Sequence, residues 1–192
     1  MERYFSNTAH TGLSDGLCEA TLRALLCYGP KVYADPGDYD AWCQAALCGT
    51  LAHNNLLGLG REQDWACHKM EHELSARFDV AHGAGLAVLT PGWMRYVWRA
   101  NPARFTDFAV KVMGVSPRER DEKTVEAGVL ALEMFFAQLG LPNRLSAFGA
   151  CEADLVEMAR RVVTSEDGGQ VRVGFLKRLY FEDVLAVYRS VA

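Results

Sequence analysis

Several patterns that are typical of common protein classes are absent from this sequence. It contains no GxGxxG and no GxxxxGK[ST] motif, so the chain carries no recognisable cradle for nucleotide phosphates. Lys and Arg number 20 against 24 Asp and Glu. The resulting net charge of −4 gives no electrostatic reason to expect nucleic acid or an anionic membrane as a partner. Alternation of apolar and polar residues is nearly absent, and only residues 171–173 hint at a strand.

Targeting and membrane signals are absent as well. The N-terminus has neither the basic start nor the apolar run of a signal peptide. The six cysteines include no CxxC pair, and we expect them to be small core residues in a reduced, cytoplasmic compartment. The run 41–60 has no charged residue, but its polar side chains would be stranded in a bilayer. We therefore expect a helix buried in the protein core there, and no membrane span.

What the sequence does contain is helical periodicity. Half of its 192 residues are hydrophobic, and a domain of this length can bury about 70% of its unfolded surface. A capping box at 116–119 predicts the start of one helix, Ser14 can cap another, and residues 62–78 read as a third. We predict an all-α bundle of about seven to nine helices, forming a single domain over residues 1–192. Its apolar faces repeat at steps of three and four, as in Phe105, Phe108, Ala109 and Val112; Val125, Val129, Leu132, Phe136 and Leu139; Cys151, Leu155, Met158 and Val162; and Val184, Val187, Tyr188 and Val191.

Three of the five histidines lie close together in the sequence. His68 and His72 are four residues apart, so on a helix they project from one face. His82 follows a predicted helix end near Phe78, and a helix-turn-helix would fold it back beside the pair. Three converging imidazoles suit a divalent transition metal. The structural interpretation, in which two are surface residues and His82 caps a helix or lies in the core, competes with this one.

The same segment also matches a second pattern. His68, Glu71 and His72 form H-x-x-E-H, the inverted zinc-protease motif, in which two histidines bind zinc and the glutamate activates water. A peptidase would need a third ligand, such as Glu126 or Glu133. Both lie in an amphipathic helix, where glutamates usually face solvent, so the peptidase stays a minor alternative.

Longer runs around these histidines resemble a known family. They resemble the iron-containing alcohol dehydrogenases, most of all the butanol dehydrogenase-like branch, whose members reduce aldehydes and oxidise primary alcohols with NAD(P). The resemblance extends over essentially the whole chain but only about the C-terminal half of a family member. It rests on residues 1–5, 55–60, 63–66, 68–74, 82–83, 89–91 and 135–142.

The resemblance implies roles for individual residues. His68 and His82, which are fourteen residues apart, correspond to metal ligands for Fe²⁺, or Zn²⁺ in some relatives. His72 corresponds to an additional catalytic histidine beside the metal, near substrate and nicotinamide, that relays protons. Asp64 and Trp65 are expected to be structural, capping and packing the helix that carries His68.

The resemblance also implies parts that lie outside this sequence. Family members hold the metal with an Asp and a His from an earlier helix, expected just before Met1, and bind NAD(P) in a separate domain. The first hypothesis is therefore the C-terminal half of a metal-dependent NAD(P) alcohol dehydrogenase or aldehyde reductase for small substrates, inactive in isolation. The alternative is a stand-alone, non-catalytic helical interaction domain. It would form a homo-oligomer through an apolar patch near the chain start and the His68–His82 cleft.

Overall fold

Helices make up almost all of the regular structure, as the periodicity predicts. The structure is a computed structural model, which describes residues 1–165 and 167–192. In these residues there are two isolated β-bridges, Thr164–Gln170 and Val173–Leu179, and no longer strand. The all-α prediction is confirmed. The α-helices within the described residues are eight: α1 (Gly12–Ala34), α2 (Tyr39–His53), α3 (Ala66–Phe78), α4 (His82–Val97), α5 (Pro102–Asp107), α6 (Asp121–Gln138), α7 (Glu152–Val162) and α8 (Phe181–Ser190).

The core is built around α4, which packs against α3, α6 and α8. A π-helical turn, Phe108–Val112, continues α5 and packs on α6. The chain start also enters the core, because the Phe5 ring stacks on Phe105 with 4.4 Å between centroids and meets Trp93 edge-on at 5.6 Å. The four predicted apolar faces point into this core. Their buried members are Phe105, Phe108, Ala109, Val112, Val125, Val129, Leu132, Leu155, Met158, Val162, Val184, Val187, Tyr188 and Val191.

The predicted start of α3 near residue 62 is wrong, because the helix begins at Ala66. Asp64 accounts for the difference. One oxygen of its buried carboxylate accepts a hydrogen bond from the backbone N–H of Ala66 at 2.9 Å, and the other accepts from Phe175 and Leu176 at 2.7 Å each. These bonds tie the segment before α3 to the loop before α8.

Two further helix starts differ from the prediction. Helix α6 begins at Asp121 rather than at the capping box 116–119, and the Thr124 hydroxyl instead accepts from the Arg118 N–H at 2.9 Å. Ser14 lies inside the first turn of α1 and does not cap it; its hydroxyl donates to the Leu59 carbonyl at 2.9 Å. Ser14 therefore bonds to a loop far along the chain instead of capping α1, and Thr124 bonds to the segment just before α6.

The expectation of a buried helix in the uncharged run 41–60 is wrong. The run does form most of α2, but only Ala41 and Cys48 of that helix are buried, since α2 packs chiefly against α1 at the edge of the bundle. Its outer face exposes Trp42 and Leu47.

The expectation that the cysteines are core residues holds for half of them. Cys18, Cys48 and Cys67 are buried, whereas Cys27, Cys43 and Cys151 are exposed, and all six are free. In the described part of the chain, no helix combines the length and the apolar character that crossing a bilayer requires.

Candidate metal centre

The α3–α4 hairpin brings the three histidines together. Helix α3 stops at Phe78 because Asp79 adopts a left-handed conformation (φ 51°, ψ 43°) that ends the helix, and α4 begins three residues later with His82. The His82 ring then lies 5.4 Å from the His68 ring and 5.6 Å from the His72 ring, centroid to centroid. The predicted fold-back of His82 beside the other two is confirmed.

A cleft of about 420 Å³ lies beside His68 and His82. The His68 side chain is 25% exposed and that of His82 is 50% exposed, so both reach solvent at this cleft. The chain start forms one side of the cleft, and α1 and α4 contribute to it. Apolar side chains form much of the wall, namely Leu22, Leu25, Leu57, Trp65 and Leu86.

A buried carboxylate contacts Nδ1 of each of these two histidines. Glu71 is fully buried, and one of its oxygens lies within hydrogen-bonding distance of His82 Nδ1 while the other accepts from the Ser75 hydroxyl. Glu2 accepts from the backbone N–H of Cys67 at 2.6 Å and contacts His68 Nδ1. An ionised carboxylate can only accept, so His82 donates to Glu71 through Nδ1 and leaves Nε2 free, and the contact with Glu2 likewise occupies Nδ1 of His68.

Gly85 creates the space that Glu71 occupies. A Cβ atom at residue 85 would lie only 2.6 Å from Glu71 Oε1 and 2.8 Å from its Cγ. Helix α4 can pass this close to α3 only because Gly85 has no side chain. The carboxylate therefore sits in a cavity that the neighbouring helix leaves for it.

Burial sets the charge states in this region. Desolvation lowers the pKa of His68 to about 4, with the positive chain terminus and His82 adding to the effect, so the imidazole is neutral at pH 7. A neutral imidazole is the form that binds a metal ion. Desolvation also raises the pKa of the Glu2 carboxyl, and the nearby Asp64 carboxyl raises it further.

Asp64 and Trp65 support the helix that carries His68, as expected. Besides the hydrogen bond from Asp64 to the first turn of α3, the Trp65 ring meets the His68 ring edge-on, 4.8 Å between centroids. The guanidinium of Arg3 lies 5.0 Å above the Trp65 ring. These contacts restrict the position of the His68 ring.

The structure does not assemble the complete site of the peptidase hypothesis. Glu71 is fully buried and bonded to a hydroxyl and an imidazole, so it has no place for a water to activate. The two suggested third ligands, Glu126 and Glu133, both form ion pairs with Arg95 instead, at 2.8 and 2.5 Å. This geometry does not support a zinc peptidase.

The donor groups fit a divalent transition metal. Donor atoms of Glu71, His72 and His82 all lie within 4.8 Å of one another. Imidazole and carboxylate donors suit Fe²⁺ and Zn²⁺, and the Gly85 cavity holds one carboxylate where it can support an imidazole. This group contains His72 and His82 of the predicted site together with Glu71, and His68 lies outside it; the roles of the three histidines as ligands and proton relay stay predictions.

Sequence reasoning missed what Glu2 and Glu71 do here. In the sequence Glu71 stands out only as part of the protease motif, although its position three residues after His68 places it on the same side of α3. Glu2 carries no local signal at all, since its contacts with Cys67 and His68 span more than sixty residues of chain.

Comparison with known proteins identifies the family. Residues 1–192 match the Fe-containing alcohol dehydrogenase family, C-terminal. The chain belongs to this family. It is 34% identical to the NADH-dependent butanol dehydrogenase A of Clostridium acetobutylicum over 191 residues, which are 99% of this chain and 48% of that protein. It is 35% identical to a probable NADH-dependent butanol dehydrogenase 1 of Bacillus subtilis, over the same shares of both chains.

Solved structures of this alcohol dehydrogenase family share the fold. The NADH-dependent butanol dehydrogenase A of Thermotoga maritima matches with a TM-score of 0.89 and 32% identity, over 99% of this chain and 48% of that one. The substrate- and cofactor-free aldehyde reductase YqhD of Escherichia coli matches with a TM-score of 0.91 and 26% identity, over 100% of this chain and 49% of that one. The chain thus spans about half the length of the relatives it matches, as the resemblance implies.

Proposed function

We propose that this chain is the metal-binding part of an NAD(P)-dependent alcohol dehydrogenase or aldehyde reductase for small alcohols and aldehydes. The observation that carries the proposal is the convergence of His68, His72 and His82 in a chain that matches the C-terminal family description throughout. The names of the relatives, butanol dehydrogenases and an aldehyde reductase, support this substrate class and a nicotinamide cofactor.

His68 and His82 would hold the metal ion through Nε2, because Nδ1 of each is engaged by a carboxylate. When bound, Fe²⁺ or Zn²⁺ supplies Lewis-acid polarisation of the substrate oxygen, and NAD(P) supplies or accepts the hydride. His72 is exposed beside His82 and would move the proton to or from that oxygen.

The remaining residues of the cleft would bind and shield the substrate. Leu22, Leu25 and Leu86 offer an apolar surface to an aliphatic chain and exclude water from the reacting oxygen. Six free cysteines support a reducing compartment, and we place the protein in the cytoplasm.

A chimera tests the proposal. Residues 1–192 replace the corresponding C-terminal region of the Clostridium acetobutylicum butanol dehydrogenase A, and the purified chimera is loaded with Fe²⁺ or Zn²⁺. We expect NADH-dependent reduction of butanal by the chimera and none by the 192-residue chain alone. His68→Ala and His82→Ala should abolish the activity, and His72→Ala should lower kcat by about 10²- to 10⁴-fold while leaving metal content unchanged.

The matched control is His10→Asn, which removes an imidazole far along the sequence from the hairpin. His10 has a left-handed backbone (φ 61°), which Asn tolerates, so this variant should behave like the parent. A folded, metal-loaded chimera that reduces no aldehyde with NADH or NADPH would contradict the proposal. Robust turnover by the 192-residue chain alone would contradict the expectation that other parts are needed.

A further inference from the structure

We propose that Glu71 and Glu2 are positioning residues, each of which holds Nδ1 of one metal-binding histidine so that Nε2 faces the shared cleft. Glu71 would position His82, with Ser75 holding Glu71 in turn, and Glu2 would position His68. This inference rests on the proposed function, since it takes His68 and His82 as the ligands.

The polar contacts of Glu71 support a role in positioning His82. Its carboxylate is fully buried, and its two partners are His82 Nδ1 and the Ser75 hydroxyl. The Val80 carbonyl oxygen, in the turn between the helices, lies 2.9 Å from the same hydroxyl oxygen and shares its single hydrogen with Glu71. A buried carboxylate is costly unless it is fully bonded, so its retention here indicates a use beyond packing. The cavity at Gly85 shows that α4 is shaped around it.

Glu2 makes the corresponding arrangement for His68. Its two oxygens accept from the backbone N–H groups of Cys67, at 2.6 Å, and His68, at 3.2 Å, in the first turn of α3. The second oxygen also contacts His68 Nδ1. The carboxylate therefore fixes both the backbone and the ring of His68.

The physical consequence is orientation of the ligand atoms. A carboxylate bonded to Nδ1 stops the imidazole from rotating and leaves Nε2 as the only free nitrogen of the ring. Outer partners of this kind typically change metal affinity by about 10–100-fold when removed. Glu71 and Glu2 would raise affinity in this way without binding the ion themselves.

The test measures the metal affinity of the chimera described above, which supplies the remaining part of the enzyme, by competition with a chromophoric Zn²⁺ chelator. Glu71→Ala and Glu2→Ala should each weaken Zn²⁺ binding by about 10–100-fold. Glu71→Gln should recover part of the loss, because its amide oxygen can still accept from His82 Nδ1. Glu73→Gln is the matched control on α3, two residues away with the same change in charge, and should leave affinity unchanged.

Two spectroscopic measurements separate positioning from other roles. Long-range ¹H–¹⁵N NMR spectra of the metal-free chain should show His82 with its proton on Nδ1, and a mixture of tautomers in Glu71→Ala. Co²⁺ bound to Glu71→Ala should keep the absorption bands of the parent, whereas loss of a direct ligand would change them.

The outcomes are distinct. Unchanged Zn²⁺ affinity and an unchanged His82 tautomer in Glu71→Ala would overturn the positioning role of Glu71, and altered Co²⁺ bands would make it a ligand instead. If the parent chimera binds no Zn²⁺, the proposed metal role fails, and the tautomer of His82 alone decides the positioning role. Should Glu71→Ala fail to fold, Glu71→Gln must retain the parent tautomer and Glu2→Ala must weaken binding for the inference to stand.

Discussion

Two helical hairpins of this chain show opposite relations between composition and burial. The α1–α2 hairpin contains the uncharged run, yet it lies at the edge of the bundle and Leu47 on α2 is 55% exposed. The α3–α4 hairpin carries charged residues on α3, yet the Glu71 side chain on that helix is fully buried. Burial therefore follows from the number of elements that pack against a helix, and not from the hydrophobicity of its residues alone.

The difference in burial between the two hairpins also bears on function. Buried charge in the α3–α4 hairpin is matched, group by group, to hydroxyl and imidazole partners at the cleft. The exposed apolar side chains on α2, such as Leu47, face solvent instead. Of these two features, the buried and hydrogen-bonded charge is the better indicator of the candidate site, because burying a charge without bonding partners costs free energy.

The largest expected effect compares one leucine from each hairpin. Leu74 on α3 is fully buried, so Leu74→Ala should lower the free energy of unfolding by about 2–5 kcal/mol through lost burial and a cavity. Leu47→Ala on α2 should change it by less than about 0.5 kcal/mol. Urea denaturation of both variants measures the difference. Equal losses would show that α2 is as well packed as α3, contrary to the structure.

A smaller effect is expected at the two glycines of the first turn of α4. Gly85→Ala places a methyl group against the Glu71 carboxylate and should cost about 1–3 kcal/mol, and it should also weaken metal binding. Gly83→Ala meets nothing within 4 Å and should cost nothing. Thermal denaturation and Zn²⁺ titration of the pair check this. A Gly85→Ala variant as stable as Gly83→Ala would contradict the close approach of α3 and α4.

The smallest effect concerns the attachment of α3 to α7. Asp154 accepts from the Cys151 N–H and thiol, each at 3.0 Å, and pairs with Arg77 on α3 at 2.7 Å. These bonds lower the pKa of Asp154 from 3.8 to about 2. Because the folded-state pKa is depressed, the stabilisation is present above about pH 4 and is lost as the pH falls towards 2.

Asp154→Asn tests that attachment. The variant should be less stable than the parent at pH 7, and the difference should shrink as the pH falls from about 4 to 2. Urea denaturation across this range gives the measurement, with Glu157→Gln as the control, because the ion pairs of Glu157 with Arg160 and Arg161 stay within α7. A difference that is independent of pH would show that the Asp154 charge contributes nothing.

Local patterns in the sequence predict much of this fold. Steps of three and four place most of the predicted residues of α5 to α8 in the core, because an amphipathic helix can bury only one face; of the predicted faces, Phe136 and Leu139 are partly buried and Cys151 is exposed. They fail for α2, because apolar side chains such as Leu47 lie on its exposed face and not only on the face that packs against α1. They also fail for helix starts such as that of α3, where Asp64 bonds to a loop more than a hundred residues away.

The candidate site divides in the same way. The histidines are visible in the sequence, because their helical spacing and the turn after α3 follow from local rules. The carboxylates that orient them are not, because Glu2 reaches His68 only through the tertiary fold and Glu71 depends on Gly85 of the next helix.

Metal stoichiometry tests the central claim most directly. The purified chimera of residues 1–192 with the remainder of the Clostridium acetobutylicum butanol dehydrogenase A is dialysed to equilibrium against Fe²⁺ under anaerobic conditions, or against Zn²⁺, and its metal content is then determined by elemental analysis. We expect about one ion per chain, lost in both His68→Ala and His82→Ala and retained in His10→Asn. No bound metal in the parent chimera, or full occupancy in both histidine-to-alanine variants, would contradict the claim that the α3–α4 hairpin forms a metal centre.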